Sequence, residues 1–420
     1  MSTWTTTIDT RSRTNVTFKP AAAVSLANRS TIDCANKRLS STEGVKDIIR
    51  AISSRRIVTK LFLGHNFLED EGCIALFDFL RSPNGQKYKI QEINLKSNSI
   101  DDRGLVAIAN YLRENQDLKI LLLQNNAFHG NPETVTTFTE AVNSSCLDTL
   151  SLATNTHLSD PFASQFLSAL DAHKLRELHL SMMNITDLSV DPIIHFLISH
   201  RCRLRTLKLS GNNLGAHSVT RILRAVTVYN YNITRLEMSA NFNLVPDDAL
   251  GEDELSSLAE WPQREKELKR VMDRNEFLAR MRQKEALFLL ACSRRLLLRS
   301  RRGDSVPPIA QPNPKSFPFR NLPTELQLHI LSLTAPRLSN AQHLRIFAYA
   351  ADPDTLPPSP NGAVGQYTCI PDPGGLPFNT GLGTCASGTC LGAGNSLQCR
   401  KEKLRNAWLD KVDCVLHEPD

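Results

Sequence analysis

Residues 58–68 read VTKLFLGHNFL. Leu61 and Leu63 alternate with Phe62. That is the period of a short strand turning two side chains inward and one outward. Asn66 follows where the chain must turn. Its amide both donates and accepts, so it can satisfy backbone groups that stacked turns leave unpaired. The frame L-x-x-L-x-L-x-x-N-x-L returns as IQEINLKSNSI (90–100), LKILLLQNNAF (118–128), LDTLSLATNTHL (147–158), LRELHLSMMNI (175–185), LRTLKLSGNNL (204–214) and ITRLEMSANFNL (233–244). The asparagine slot holds Asn66, Asn98, Asn126, Asn155, Asn212 and Asn241, with Met183 between the fourth and fifth. Steps are 28 or 29 residues, except one of 32 where the polar turn RSPNGQKYK (81–89) takes up the excess. A partial earlier copy, IDCANKRL (32–39), carries Lys37 in the slot.

A helical pattern fills the space between strands. Gly72 leads Ile74, Leu76, Phe77 and Leu80; Gly104 leads Leu105, Ile108 and Leu112. Acids stand in front of these helices (Glu69, Asp70, Glu71; Asp101, Asp102), where a helix N-terminus favours them. One such unit cannot bury its own apolar face, but stacked units share a continuous core. The expected fold is α/β, a solenoid over residues 31–250. The frame and its period resemble the ribonuclease-inhibitor-type leucine-rich repeats, over about residues 31–245. The resemblance implies a horseshoe with parallel strands on the concave face, helices outside, and a protein partner on the concave face. Met183 and the extra residues at His157 and Phe242 depart from the frame.

The outward strand positions carry charges of both signs and no Arg/Lys stripe with aromatics, which argues against nucleic acid. Phe62, Ile120 and Leu122 are the apolar cluster among them; with Asn94 they are the candidate partner-binding residues. The other reading of the cluster is packing against a neighbouring segment. His179, between Glu177 and Ser181, reads as a hydrogen-bonded surface residue rather than a catalyst. No HExxH, GxxxxGK[ST] or GxSxG occurs, and GLGTCASG (381–388) follows no convincing strand. A binding protein, not an enzyme, is expected.

Composition sets the outer bounds. The chain has 420 residues, 41% hydrophobic and 22% charged, ordinary for a soluble globular protein. No apolar run approaches the roughly 18 residues of a membrane span. The N-terminal stretch MSTWTTTIDTRSRTNVTF lacks the apolar core of a secretory signal; residues 1–30 read as a disordered polar tail or a mitochondrial presequence. Residues 263–302 carry 13 Lys/Arg against 5 Asp/Glu, a local +8 that leaves −2 for the rest of a chain whose total is +6. Basicity is therefore one segment's property. Cys34, Cys73, Cys146, Cys202 and Cys292 are scattered and read as reduced core thiols of an intracellular protein, cytoplasmic, nuclear or both.

The basic segment, 251–302, reads as one long helix from Trp261 to about Leu298, with Leu268, Val271, Leu278 and Met281 on one face. It is either a cap on the open end of the solenoid or a coiled-coil partner. The cluster Arg294, Arg295, Arg299, Arg301 and Arg302 is a solvated helix end or a nuclear or acidic-partner signal. Residues 303–320 are a Pro-rich linker.

The next segment, 321–351, opens on LPTELQLHILSL (322–333). Asn321 offers a polar cap, Pro323 suits the first turn, and Leu326, Ile330 and Leu333 share a face. A second helix is expected over 339–351. Leu322, Pro323, Glu325, Leu326, Ile330 and Leu331 resemble the N-terminal half of an F-box, over about 15 residues. The resemblance implies a helix that docks on a Skp-type linker of a cullin–RING ubiquitin ligase while the repeats capture a substrate. Thr334 and the missing Cys/Trp-containing half depart from the family pattern. The tail, 352–420, is Pro/Gly/Cys-rich. Cys385, Cys390, Cys399 and Cys414 supply four thiols, a candidate structural zinc set without CxxC spacing; unliganded thiols or a disulfide are the alternatives. No other cofactor is implied. A short helix with Leu404, Trp408, Leu409 and Val412 on one side should close the chain. The readings left open are a ligase adaptor, a scaffold without ligase connection, and a small-GTPase regulator resembling the Ran GTPase-activating proteins.

Overall fold

The computed structural model describes residues 30–241, 261–301, 319–355 and 400–418. Among these, eight three-residue strands form one parallel sheet in strict sequence order. They are β1 (Thr31–Asp33), β2 (Lys60–Phe62), β3 (Glu92–Asn94), β4 (Ile120–Leu122), β5 (Thr149–Ser151), β6 (Glu177–His179), β7 (Thr206–Lys208) and β8 (Arg235–Glu237). Helices α1 (Ser41–Ser53), α2 (Glu69–Arg81), α4 (Asp102–Leu112), α5 (Pro132–Ser144), α6 (Ser159–Ala169), α7 (Val190–Ile198) and α8 (Ala216–Tyr229) return the chain from strand to strand. The solenoid expected from the repeats is the fold observed.

Register is set by the leucine column. Leu61, Ile93, Leu121, Leu150, Leu178, Leu207 and Leu236 pair successively across the sheet. All are buried beside the inner faces of the helices in one core. Each such side chain contributes about 1.5–3 kcal/mol of transfer free energy before entropy is subtracted. The long 32-residue step is accommodated by a short helix, α3 (Pro83–Gln86), whose Gly85 sits so close to α2 that a Cβ there would lie 2.1 Å from the Phe79 carbonyl oxygen.

The asparagines form a buried ladder. Asn66 Nδ2 donates to its own strand at Leu63 O (2.8 Å) and to Cys34 O of the preceding repeat (3.0 Å). Its Oδ1 accepts from Lys37 N (3.1 Å) and Leu39 N (3.0 Å). Asn212 repeats the pattern with Leu209 O and Leu180 O at 2.8 Å each, and with Met183 N (2.8 Å) and Ile185 N (3.2 Å). Met183 is fully buried in its slot, an apolar plug whose own backbone is served by Asn212. The acids ahead of the helices do more than meet a helix dipole. Asp70 Oδ1 accepts from Asp101 N (2.8 Å) and Gly104 N (3.0 Å), and Asp102 accepts from His129, Gly130 and Asn131 N. Each carboxylate thus ties its helix to the start of the next repeat.

Helix α9 (Trp261–Arg301) closes the solenoid with its first half. Val271 joins the solenoid core, with Leu268 and Met272 against it. Asn275 Nδ2 donates to Asn230 O (3.0 Å) and Ile233 O (2.7 Å), and Arg274 donates to Thr227 O (2.8 Å) while lying over the Tyr231 ring. Its second half serves another core. Ala286, Leu289 and Leu290 pack with Leu331, Ala335, Leu338, Ile346, Phe347, Trp408 and Leu409. These come from α10 (Thr324–Ser332), α11 (Asn340–Ala351), α12 (Arg400–Lys411) and the connection between α10 and α11, which carries Ala335 and Leu338. The basic helix, the F-box-like segment and the end of the tail are therefore one helical unit rather than three successive segments. The unit docks on the edge where β6–β8 begin: Asp410 meets Lys174 (2.6 Å) and Arg176 (3.3 Å), and Asp413 meets Arg203 (3.3 Å).

Three local expectations change. Asn321 does not cap α10; Pro323 is its N-cap, without a side-chain bond, and Gln327 Nε2 donates to Leu322 O (2.7 Å) instead. Arg294 is not a solvated helix end: it is buried, lies over the Tyr349 ring and donates to Thr355 O (3.1 Å). Leu404 is exposed while Trp408, Leu409 and Val412 are buried, because α12 turns its last two turns, not its first, to the core. The side chains of Arg299, Arg301 and Arg302 lie outside the described residues.

Candidate functional site

Two surfaces collect the residues singled out from sequence. The first is the concave sheet. Phe62, Asn94, Leu122, Ser151, His179, Lys208 and Glu237 form one lateral row. Lys60, Glu92, Ile120, Thr149, Glu177, Thr206 and Arg235 form the row beside it. Ile120 and Leu122 are neighbours on β4. Phe62 stands two strands away, about 10 Å at ordinary strand spacing. Asn94 lies between Phe62 and Leu122, with its Oδ1 accepting from Lys96 N (3.1 Å). Beside it Lys60 and Glu92 are ion-paired at 2.7 Å. All four candidate residues are half-buried. The apolar cluster is thus a broken patch with a polar seam, not a continuous one.

Further along the sheet the concave face is charged, with Arg235–Glu237 at 2.6 Å and Lys208–Glu237 at 3.8 Å. His179 is half-buried among them rather than a hydrogen-bonded surface residue. Burial, and then the positive charge of Lys208, push its pKa down to about 4. It is therefore neutral near pH 7, and its Nε2 stands 3.6 Å from the Glu177 carboxylate without a hydrogen bond.

The second surface is α10. Leu331 turns inward and is 7% exposed. Leu326, Ile330 and Leu333 face out at 49%, 38% and 65%. Three large apolar side chains at i, i+4 and i+7 form a stripe on one helix face. Leu322 is half-buried, and Pro323 and Glu325 are exposed beside the stripe. Of the F-box-like set, Leu331 belongs to the core, while Leu333, not in that set, completes the stripe. The amphipathic spacing marked all of these; only the second core decides which turn inward.

Of the four tail thiols, Cys385, Cys390 and Cys399 lie outside the described residues. Cys414 is fully buried in the second core, where burial and then Asp413 push its pKa up to about 12. Zinc ligation requires thiolate, which this surrounding disfavours. Among the described residues no group of three or more His, Cys, Asp or Glu could hold a metal ion, and the described cysteines are free thiols. No described helix is long and apolar enough to cross a membrane.

Repeat and fold together make residues 30–241 a solenoid of leucine-rich repeats. Residues 89–109 match the family described as "Leucine Rich repeat". A Tonsoku-like protein from cattle (Bos taurus) is 35% identical over 122 residues, 28% of this chain. The match spans only 8% of that relative's length. Among solved structures, the complex of Rad7 and Elc1 in yeast contains a chain aligned over 51% of this protein and 57% of its own length, at 15% identity and a TM-score of 0.35.

Proposed function

We propose that this chain is a non-enzymatic adaptor inside the cell, in the cytoplasm, the nucleus or both. Its ribonuclease-inhibitor-type solenoid holds one protein on the concave face, and its helical unit presents α10 to a second. The observation that carries the reading is the division of labour on α10. Leu331 anchors the helix, while Leu326, Ile330 and Leu333 remain uncovered at the spacing of a helix-docking motif. The F-box-like residues make a Skp-type linker of a cullin–RING ubiquitin ligase the partner for that stripe. On the concave face, Phe62, Ile120 and Leu122 supply apolar anchors and Asn94 a polar contact between them.

The test uses the full chain, because a fragment starting after α9 would lack Ala286, Leu289 and Leu290 and so part of its own core. Binding to a purified Skp-type linker is measured beside the double variant Leu326→Asp, Ile330→Asp. Both side chains are exposed, so the variant should keep its circular dichroism and melting temperature. Binding to the parent chain that the variant abolishes supports the adaptor reading. Absence of binding by the folded parent chain removes the ligase connection and leaves a repeat scaffold.

A further inference from the structure

From Val271 to Arg294 one stripe of α9 faces inward, and in the middle, between the two cores, that stripe is largely polar. Asn275, Arg282 and Glu285 are all buried there. Asn275 is satisfied by the carbonyls of Asn230 and Ile233. Glu285 accepts from Arg337, through the backbone nitrogen at 2.9 Å and through the guanidinium. Arg282 differs. It is 2% exposed, its Nε has no hydrogen-bond partner, and it forms no ion pair among the described residues. Burial, and then the nearby charge of Arg205, pull its pKa down to about 10, which still leaves it a cation at pH 7.

A buried guanidinium without a counter-charge carries an unreturned desolvation cost. Arg337 and Glu418, which line the space around it, are already paired, Arg337 with Glu285 and Glu418 with Arg345 at 2.7 and 3.0 Å. Arg282 also lines a cavity of about 390 Å³ at the seam between the last repeat and the helical unit. Tyr231 of the solenoid, Leu278 of α9 and Leu338 of the helical unit line the same space. That volume falls in the ordinary range for small-molecule sites, about 300–1,000 Å³.

We propose that this cavity is a binding site for a small molecule bearing an oxyanion, carboxylate or phosphate, on an apolar or aromatic body. The oxyanion meets the Arg282 guanidinium, whose planar array of donors matches it. The body lies against Tyr231, Leu278 and Leu338. Because Tyr231 comes from the solenoid while Leu278 and Leu338 come from α9 and the α10–α11 connection of the helical unit, an occupied site ties the unit to the last repeat. This inference is independent of any ligase connection.

The test is thermal unfolding of the full chain, dialysed into a chloride buffer, with ionic strength held fixed. The probes are phenyl phosphate and benzoate; inorganic phosphate and acetate supply the oxyanion without the body. The expected result is a saturable rise in melting temperature of about 5 °C at a hundredfold excess over the dissociation constant with one aromatic probe, and a smaller rise with its bare anion. In Arg282→Met the rise should vanish. That variant should also melt no lower than the parent in chloride alone, because no charge is left buried. Leu278→Trp keeps the guanidinium but fills the cavity, so it too should lose the response; it decides the question if Arg282→Met does not fold. Three results would overturn the proposal: no response to either aromatic probe, an equal response in the parent and the folded variants, or a bare anion as effective as its aromatic form.

Discussion

Asn212→Ala tests what holds one repeat to the next. The side chain is 1% exposed and makes four hydrogen bonds, donating to Leu180 O and Leu209 O and accepting from Met183 N and Ile185 N. A typical intramolecular hydrogen bond contributes about 1 kcal/mol net, and more when its loss strands a buried partner. Four bonds set an upper expectation of about 4 kcal/mol, and entry of a water into the vacated space should return part of it, leaving about 3 kcal/mol. For a domain of this size that is a fall of about 6–12 °C in melting temperature. Calorimetry on the parent and the variant gives the shift, and circular dichroism at 222 nm gives the urea midpoint. Met183→Leu is the control: it keeps the plug apolar and of similar volume, and should cost less than about 1.5 kcal/mol. If Asn212→Ala lies within about 1 kcal/mol of the parent, or Met183→Leu costs as much, the amide ladder is not what fixes the turns.

Asp410→Ala should loosen the helical unit on the solenoid, since it strips Lys174 and leaves the buried Arg176 without its carboxylate, bonded only to the His173 and Leu175 carbonyls. The half-exposed geometry sets the loss at about 1–2 kcal/mol by urea titration, shrinking at high salt; a loss that does not depend on salt would contradict this. His179 should make the solenoid less stable in mild acid. Its folded pKa is held down to about 4, so as pH falls below the free-imidazole value of about 6.5 the unfolded chain takes up a proton that the folded one refuses. The melting temperature should therefore drop between pH 6.5 and 4, and His179→Gln should drop less; equal drops refute the assignment. Burial pushes the thiols of Cys202 and Cys414 up to about 11 and about 12. A thiol-reactive dye at pH 8 should label them only after denaturant is added, as mass spectrometry of tryptic peptides would show.

The solenoid was legible because its signal is periodic. Leucines inward at every second strand position and an asparagine at each turn are local rules repeated many times, so Met183 could fail the frame without hiding it. The candidate binding surfaces were legible only in part. Phe62, Ile120 and Leu122 read as outward and are outward, but that Asn94 divides them follows from strand order across the sheet. On α10, spacing groups Leu326, Ile330, Leu331 and Leu333 without deciding which of them a second core will claim. Arg282 and Asn275 were missed altogether. On a helix rich in Lys, Arg and Glu, a polar residue reads as solvated, and nothing short of the packed neighbours marks two of them as buried. Arg294 misled for the same reason.

Helix α9 has 41 residues, a rod of about 60 Å, and it contributes to both cores. A shared rod makes the relative placement of the two surfaces a matter of phase. Adding one residue between Arg282 and Glu285 would advance the helical unit by about 1.5 Å and swing it by about 100° around the rod's axis. Asp410 and Asp413 would then point away from Lys174, Arg176 and Arg203, and the outward stripe of α10 would face a different quarter of space. The concave face and the outward stripe of α10 are therefore held at one bearing and one range, as on a protractor, and the length of α9 cannot drift by a single residue without resetting it.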